Sequence, residues 1–131
     1  MKDLKIAVIN GGNSAEADVS RSSAKGVIKA LEAKFSNVMS VELGRDIAAT
    51  LIAFDPEVVF PILHGPPGED GTLQGFLEIM GYRYVGSNVH SSALAMDKIA
   101  AKQVFRDTKL PVADQCVVDS NTAVDENLAF I

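Results

Sequence analysis

Three things are scarce in this sequence, and each scarcity removes a class of protein. Cys116 is the single cysteine in 131 residues. No internal disulfide can form, and a reducing cytoplasm is the expected compartment. Cys116 precedes Val117-Val118, and its plainest role is that of a small core residue. No apolar stretch reaches the ~18 residues that would cross a bilayer, so no membrane span is expected. The opening Met1-Lys2-Asp3-Leu4-Lys5 passes straight into a strand-like run, without the longer apolar region of an export signal. The 12 Lys and Arg residues are scattered among 17 Asp and Glu, for a net charge of −5. A nucleic-acid surface needs a basic stripe, and none is present.

What remains reads as an α/β domain. The length suits one domain, and a hydrophobic fraction of 47% suits a soluble core. Lys5-Ile6-Ala7-Val8-Ile9 is a short apolar run closed by Asn10-Gly11-Gly12, the pattern of a buried parallel strand. A helix is expected from after Ser14 to about Lys34, on the spacing of Val19, Ala24, Val27, Ile28 and Leu31. Asn37–Val41 reads as a second strand, and Ile47, Leu51 and Ile52 as a short helix broken before Pro56. Val58–Leu63 reads as a third strand. Its internal Pro61 removes one ladder donor and argues for an edge or a local irregularity. Leu73, Phe76, Leu77 and Met80 carry the cleanest helical spacing, with Thr72 near the start and Gly81 at the stop. A short strand at Tyr84-Val85, a helix from about Ser92 to Asp107 and a final strand around Gln115–Val118 complete the order. Strands alternating with helices predict a mainly parallel, doubly wound sheet. The loops after its strand carboxyl ends form the usual crevice. Both glycine-rich motifs follow strands directly, so they should meet on one edge.

The first motif runs from Gly11 to Ser20. Paired glycines allow a sharp turn and close approach of a ligand. Ser14 can cap the following helix, and Glu16 and Asp18 suit its positive first turn. Alternatively, a Glu16 carboxylate at the crevice could hold an ammonium group. The motif is not GxGxxG, and no acidic ribose ligand is expected, which weakens a dinucleotide-binding reading. The second motif, His64-Gly65-Pro66-Pro67-Gly68-Glu69-Asp70-Gly71, fixes a loop outside any regular element. His64 is either an ordinary hydrogen-bonded loop residue or a partner of Glu16 across the crevice. A metal at His64, Glu69 and Asp70 would need a tight turn aiming all three inward, and no metal is assigned. In the third motif, Met96 reads as packing, and Asp97 and Lys98 as a solvated helix face. Lys98 could instead reach a nucleotide phosphate as a point charge.

Together the three motifs resemble the D-alanine–D-alanine ligases of the ATP-grasp group. The resemblance rests on Gly-Gly-x-Ser-x-Glu-x-x-Val-Ser (Gly11–Ser20) and His-Gly-x-x-Gly-Glu-Asp-Gly-Thr-x-Gln-Gly (His64–Gly75). It rests also on Tyr-x-Gly-Ser (Tyr84–Ser87), leading to Ser-Ala-x-x-Met-Asp-Lys (Ser92–Lys98). Asp18, where the family usually carries glutamate, keeps the charge.

That resemblance implies a Rossmann-like, pre-ATP-grasp parallel sheet flanked by helices, followed by the beginning of an ATP-grasp central domain. The implied domains are residues 1–95 and 96–131, the second cut short. Glu16 would anchor the ammonium of the first D-alanine, Val19 would line the same subsite, and His64 would assist recognition or proton handling. Lys98 would approach the ATP phosphates, and the Glu69-Asp70-Gly71 turn would be mainly architectural. In the implied reaction, ATP phosphorylates one D-alanine to an acyl phosphate, which the amine of a second attacks. Magnesium offsets charge on the phosphates. The product serves bacterial peptidoglycan, and family members are usually homodimers through this domain. A ligase also needs a lysine strand, a phosphate loop, a lid and magnesium ligands, none of which stands before Ile131. The 131 residues alone are therefore expected to be inactive. The alternative is a free-standing module for dimerisation or amino-acid binding.

Overall fold

The computed structural model describes residues 2–115 and residue 117. The chain divides into two compact units, with the boundary between Met96 and Asp97. The first holds a three-stranded parallel sheet in the order β2-β1-β3. Its strands are β1 (Lys2–Asn10), β2 (Phe35–Glu42) and β3 (Val58–Pro61). Four helices belong with them: α1 (Ala17–Glu32), α2 (Ile47–Phe54), α3 (Thr72–Ile79) and α4 (Val89–Met96).

The central strand explains the layering. Ile6, Ala7, Val8 and Ile9 are each no more than 3% exposed, so β1 is covered on both faces. Side chains alternate across a strand. Ile6 and Val8 pack with Ala24, Val27, Ile28 and Leu31 of α1. Ala7 and Ile9 pack with Leu51 of α2, Val59 and Leu77 of α3. Fully burying side chains such as Ile9, Leu51 and Leu77 contributes roughly 1.5–3 kcal/mol each. This is the parallel sheet flanked by helices that the element order predicted.

The path crosses from β1 through α1 to β2 on one flank, then through α2 to β3 on the other. Strand order therefore reverses at β1. A crevice outside the carboxyl ends of the strands follows from that reversal.

Several local expectations need correction. Val19 belongs to the helical pattern of α1 yet is 55% exposed. The buried stripe runs through Ser20, Ala24, Val27 and Leu31, and Val19 sits one position, about 100° of helix rotation, away from it. Ile52 is likewise outside the core, at 62% exposed. The inward face of α2 is Ile47, Leu51 and Phe54. That helix closes at Asp55 in the left-handed region, with φ 52°, and Pro56 follows.

Pro61 does lie in an edge strand, as expected, although β3 ends there and not at Leu63. Donors alternate along the strand: the Val59 N–H goes outward to the Arg83 carbonyl and the Ile62 N–H inward to that of Ile9. Pro61 shares the outward parity of Val59, so its missing donor falls on the side away from β1. Tyr84 forms only an isolated parallel bridge to Val59.

The helix expected over Ser92–Asp107 is two helices. The second unit opens at Asp97, whose extended backbone and side chain cap α5 (Lys98–Asp107) by accepting from the Ile99 and Ala100 N–H groups. Asp97 is thus a helix start and not a solvated mid-helix residue. A carboxylate that satisfies two orphan donors favours such a break. Gln115 and Val117 are in no strand. Cys116, Val118 and residues 119–131, with the expected opening of a central domain, lie outside the described residues. Among the described residues, no helix is long and apolar enough to cross a membrane.

Candidate functional site

The first loop leaves β1 at Gly11 and Gly12, with φ of +73° and +87°, a region that glycine enters without penalty. Side chains from elsewhere then hold it. The Gly11 N–H donates to Ser20 Oγ at 2.8 Å, and the Ser20 hydroxyl donates in turn to the Ile62 carbonyl. Ser20 is wholly buried. It therefore ties the root of this loop to the end of β3. On the other side the Gly12 N–H donates to Glu42 Oε1 at 3.1 Å. Arg21 clamps that carboxylate at 2.7 Å and also pairs with Asp18 at 2.6 Å. The Arg21 hydrogen bond holds the Glu42 carboxyl below its ordinary range, and Glu42, then Asp18, push the Arg21 guanidinium up. Glu42 stands at the carboxyl end of β2, where nucleotide-binding sheets carry their acidic ribose ligand. That carboxylate is already occupied by Arg21 and the Gly12 N–H.

The second loop holds itself. The Gly65 N–H donates to Glu69 Oε2 at 2.8 Å and the Thr72 N–H to Asp70 Oδ1 at 2.9 Å. The Gly68 N–H reaches the Gly65 carbonyl, and the Leu73 N–H the Pro67 carbonyl. Buried Gln74 donates from Nε2 to the Gly68 carbonyl at 2.8 Å. His64 stands at the root of this loop, its Nδ1 4.0 Å from Glu69 Oε1. Its Nε2 is buried and has no hydrogen-bond partner among the described residues. Such a group calls for an explanation in function or a further partner.

The two loops meet on one edge of the sheet. Ser14 Oγ donates to the His64 carbonyl at 3.1 Å. Glu16 Oε2 lies 3.1 Å from where a Cβ on Gly65 would stand. The Glu16 carboxylate therefore faces the His64 loop. The Ser14 hydroxyl, expected to cap α1, accepts the Glu16 N–H at 3.3 Å just ahead of the helix as well as bridging the loops, and Glu16 occupies the cap position without a side-chain cap bond.

Carboxylates crowd this edge, and nearly all are engaged. Asp18 and Glu42 hold Arg21, Glu69 holds the Gly65 amide and Asp70 the Thr72 amide. Glu16, unlike these four, has a side chain with no hydrogen bond or ion pair among the described residues. Val19 lies one turn further along α1 and is exposed, so it and Glu16 are surface neighbours. Lys98 opens α5 in the second unit. A separate cavity of about 290 Å³ behind the second loop is lined by Leu63, Gln74, Ser87 and Ser92 among others, and includes neither Glu16 nor His64.

Comparison with known proteins now bears on this geometry. A family model described as the D-Ala–D-Ala ligase N-terminus matches residues 45–87, which contain the whole second loop. The D-alanine–D-alanine ligase of Sinorhizobium fredii is 48% identical over 119 residues, 91% of this chain and 39% of that protein. That of Geobacter sulfurreducens is 46% identical over 125 residues, 95% of this chain and 40% of that protein. The crystal structure of the Bacillus anthracis D-alanine–D-alanine ligase complexed with ATP superposes with a TM-score of 0.82 at 32% identity, covering 97% of this chain and 45% of that one. The chain belongs to the D-alanine–D-alanine ligase family. It spans about two-fifths of the length of the curated relatives it matches, in their N-terminal part.

Within this family segment, sequence reasoning missed Ser20, Glu42 and Gln74. Ser20 carried a signal, because a polar residue in the Ala24–Val27–Leu31 stripe must find a buried partner. Glu42 ends a strand 30 residues from Gly12, and nothing local announces that pairing.

Proposed function

We propose that this chain supplies the subsite for the first D-alanine in a ligase that joins two D-alanines for peptidoglycan. The reading rests on one observation: the Glu16 carboxylate, unlike those of Asp18, Glu42, Glu69 and Asp70, makes no hydrogen bond or ion pair among the described residues, and it faces the His64 loop. An ammonium group there would gain a charge-assisted hydrogen bond without displacing a protein partner. His64, across the loop, would hydrogen-bond the bound amino acid or handle its proton, and Val19 would cover the methyl side. Such anchoring fixes the orientation of the substrate carboxylate before it reacts.

ATP and magnesium belong to the same reading, and the described residues do not themselves form their site. No cluster of three His, Cys, Asp or Glu side chains could hold a metal ion among them. Glu42 occupies the amide of the Gly11-Gly12 turn that a phosphate would need. Among the described residues Lys98 would meet the nucleotide, as a point charge for phosphate, and the rest of the site would come from the remaining length seen in the relatives. The same reading takes residues 1–95 as the substrate domain and 96–131 as the start of the ATP-grasp domain. It includes cytoplasmic residence, homodimerisation through the first domain, and no ligation by the 131 residues alone.

Glu16→Ala in the complete enzyme tests it. The variant should weaken D-alanine by roughly tenfold to a hundredfold, since a hydrogen bond to a charged group is worth about 1.5–3 kcal/mol. The ATP constant should stay unchanged. Normal D-alanine saturation in that variant would reduce Glu16 to a helix-start charge.

A further inference from the structure

We propose that Ser14 is a positioning residue that sets Glu16 and His64 in register across the crevice, an inference that rests on the D-alanine subsite above. Its single hydroxyl makes two bonds to the main chain. It donates to the His64 carbonyl at 3.1 Å and accepts the Glu16 N–H at 3.3 Å. The two loops leave different strands, and Ser14 and His64 are 50 residues apart in the chain. The hydroxyl thus links the backbones of both residues that carry the proposed chemistry, and does so at those residues themselves. The Ser20 bond network acts further back, at Gly11 and Ile62. Ser14 is only half-buried and belongs to neither core cluster. Its removal should loosen the register of the loops and leave the packed sheet intact. A displacement near 1 Å between binding groups is enough to cost up to about a hundredfold in activity.

The test compares Ser14→Ala and Ser14→Thr with Glu16→Ala in the complete enzyme, with separate saturation curves for D-alanine and ATP and a melting curve for each. Ser14→Ala should raise the D-alanine constant about tenfold, the scale of one hydrogen bond, with the ATP constant and melting midpoint unchanged. Ser14→Thr, which keeps the hydroxyl, should restore it. The His64 imidazole NMR signals should move in the alanine variant and return in the threonine variant. A normal D-alanine constant in Ser14→Ala overturns the proposal, as does a joint loss of D-alanine binding, ATP binding and melting midpoint. If Glu16→Ala weakens D-alanine and Ser14→Ala does not, the serine link falls and the subsite stands. If neither variant changes D-alanine saturation, both fall.

Discussion

The two glycine-rich loops sit side by side on the same sheet edge but are held by opposite means. The His64 loop is secured mainly from nearby in the chain, since Glu69, Asp70 and Gln74 all bond to main chain within six positions, with Ser14 reaching its root from the other loop. The Gly11 loop is secured from outside, by Ser20 of α1 and by Glu42 of β2. A loop of the first kind is encoded locally and brings its geometry with it. One of the second kind takes shape only when the sheet has assembled. Glu16, the proposed ligand, extends from the externally held loop, so its placement depends on long-range packing.

The sharpest way to break this comparison is to add one methyl group to each loop. At Gly68 a Cβ would fall 2.2 Å from the Leu63 Cβ, where the obstacle is the base of a packed side chain. Gly68→Ala should cost about 3 kcal/mol through overpacking. At Gly11 the obstacle is the tip of Glu42, at 2.0 Å, which can swing away. Gly11→Ala should cost about 1–2 kcal/mol, mainly the penalty of left-handed backbone. Urea unfolding of both variants gives the order, and a reversed order would refute the local-versus-external distinction.

Next in size is Ser20→Ala, which leaves the Gly11 amide and the Ile62 carbonyl buried without their partner. The expected loss is about 2 kcal/mol. Hydrogen exchange sharpens the comparison here. The Gly11 amide should open faster, while the Gly68 and Leu73 amides should change only as global stability does. If all three accelerated equally and beyond the global change, the loops would be one cooperative piece.

The smallest effect concerns acid. Glu42 has a lowered carboxyl pKa, chiefly from the Arg21 hydrogen bond. Its contribution to stability is therefore complete above the ordinary value of 4.5 and is lost as pH falls through the lower folded value. Both partners are about half-exposed, which keeps the contribution modest. Glu42→Gln should flatten the fall of melting temperature below pH 4.5, and an unchanged acid slope would count against the clamp.

Legibility from sequence follows the same division. β1 could be read because Lys5–Ile9 is short, apolar and closed by glycine. α3 could be read because Leu73, Phe76 and Leu77 repeat at helical spacing. The break at Asp97 was missed because a capping aspartate and a surface aspartate look alike until the backbone donors around them are known. Val19 shares helical spacing with four apolar neighbours, and one position of helix rotation is enough to take it off their buried face.

The spacing of apolar residues and the placement of glycines by themselves determined the parallel α/β sheet and the meeting of both loops on one edge. Period and chirality act over a few residues, and they leave little choice of path. Only the tertiary structure decided which carboxylate stays uncommitted. Asp18, Glu42, Glu69, Asp70 and Glu16 carry the same chemical group. What separates them is whether folding brings a guanidinium or an amide within about 3 Å, the range over which a hydrogen bond forms. For Glu42 those neighbours come from the Gly11-Gly12 turn and from α1, distant in the chain, and for Glu16 none arrives among the described residues.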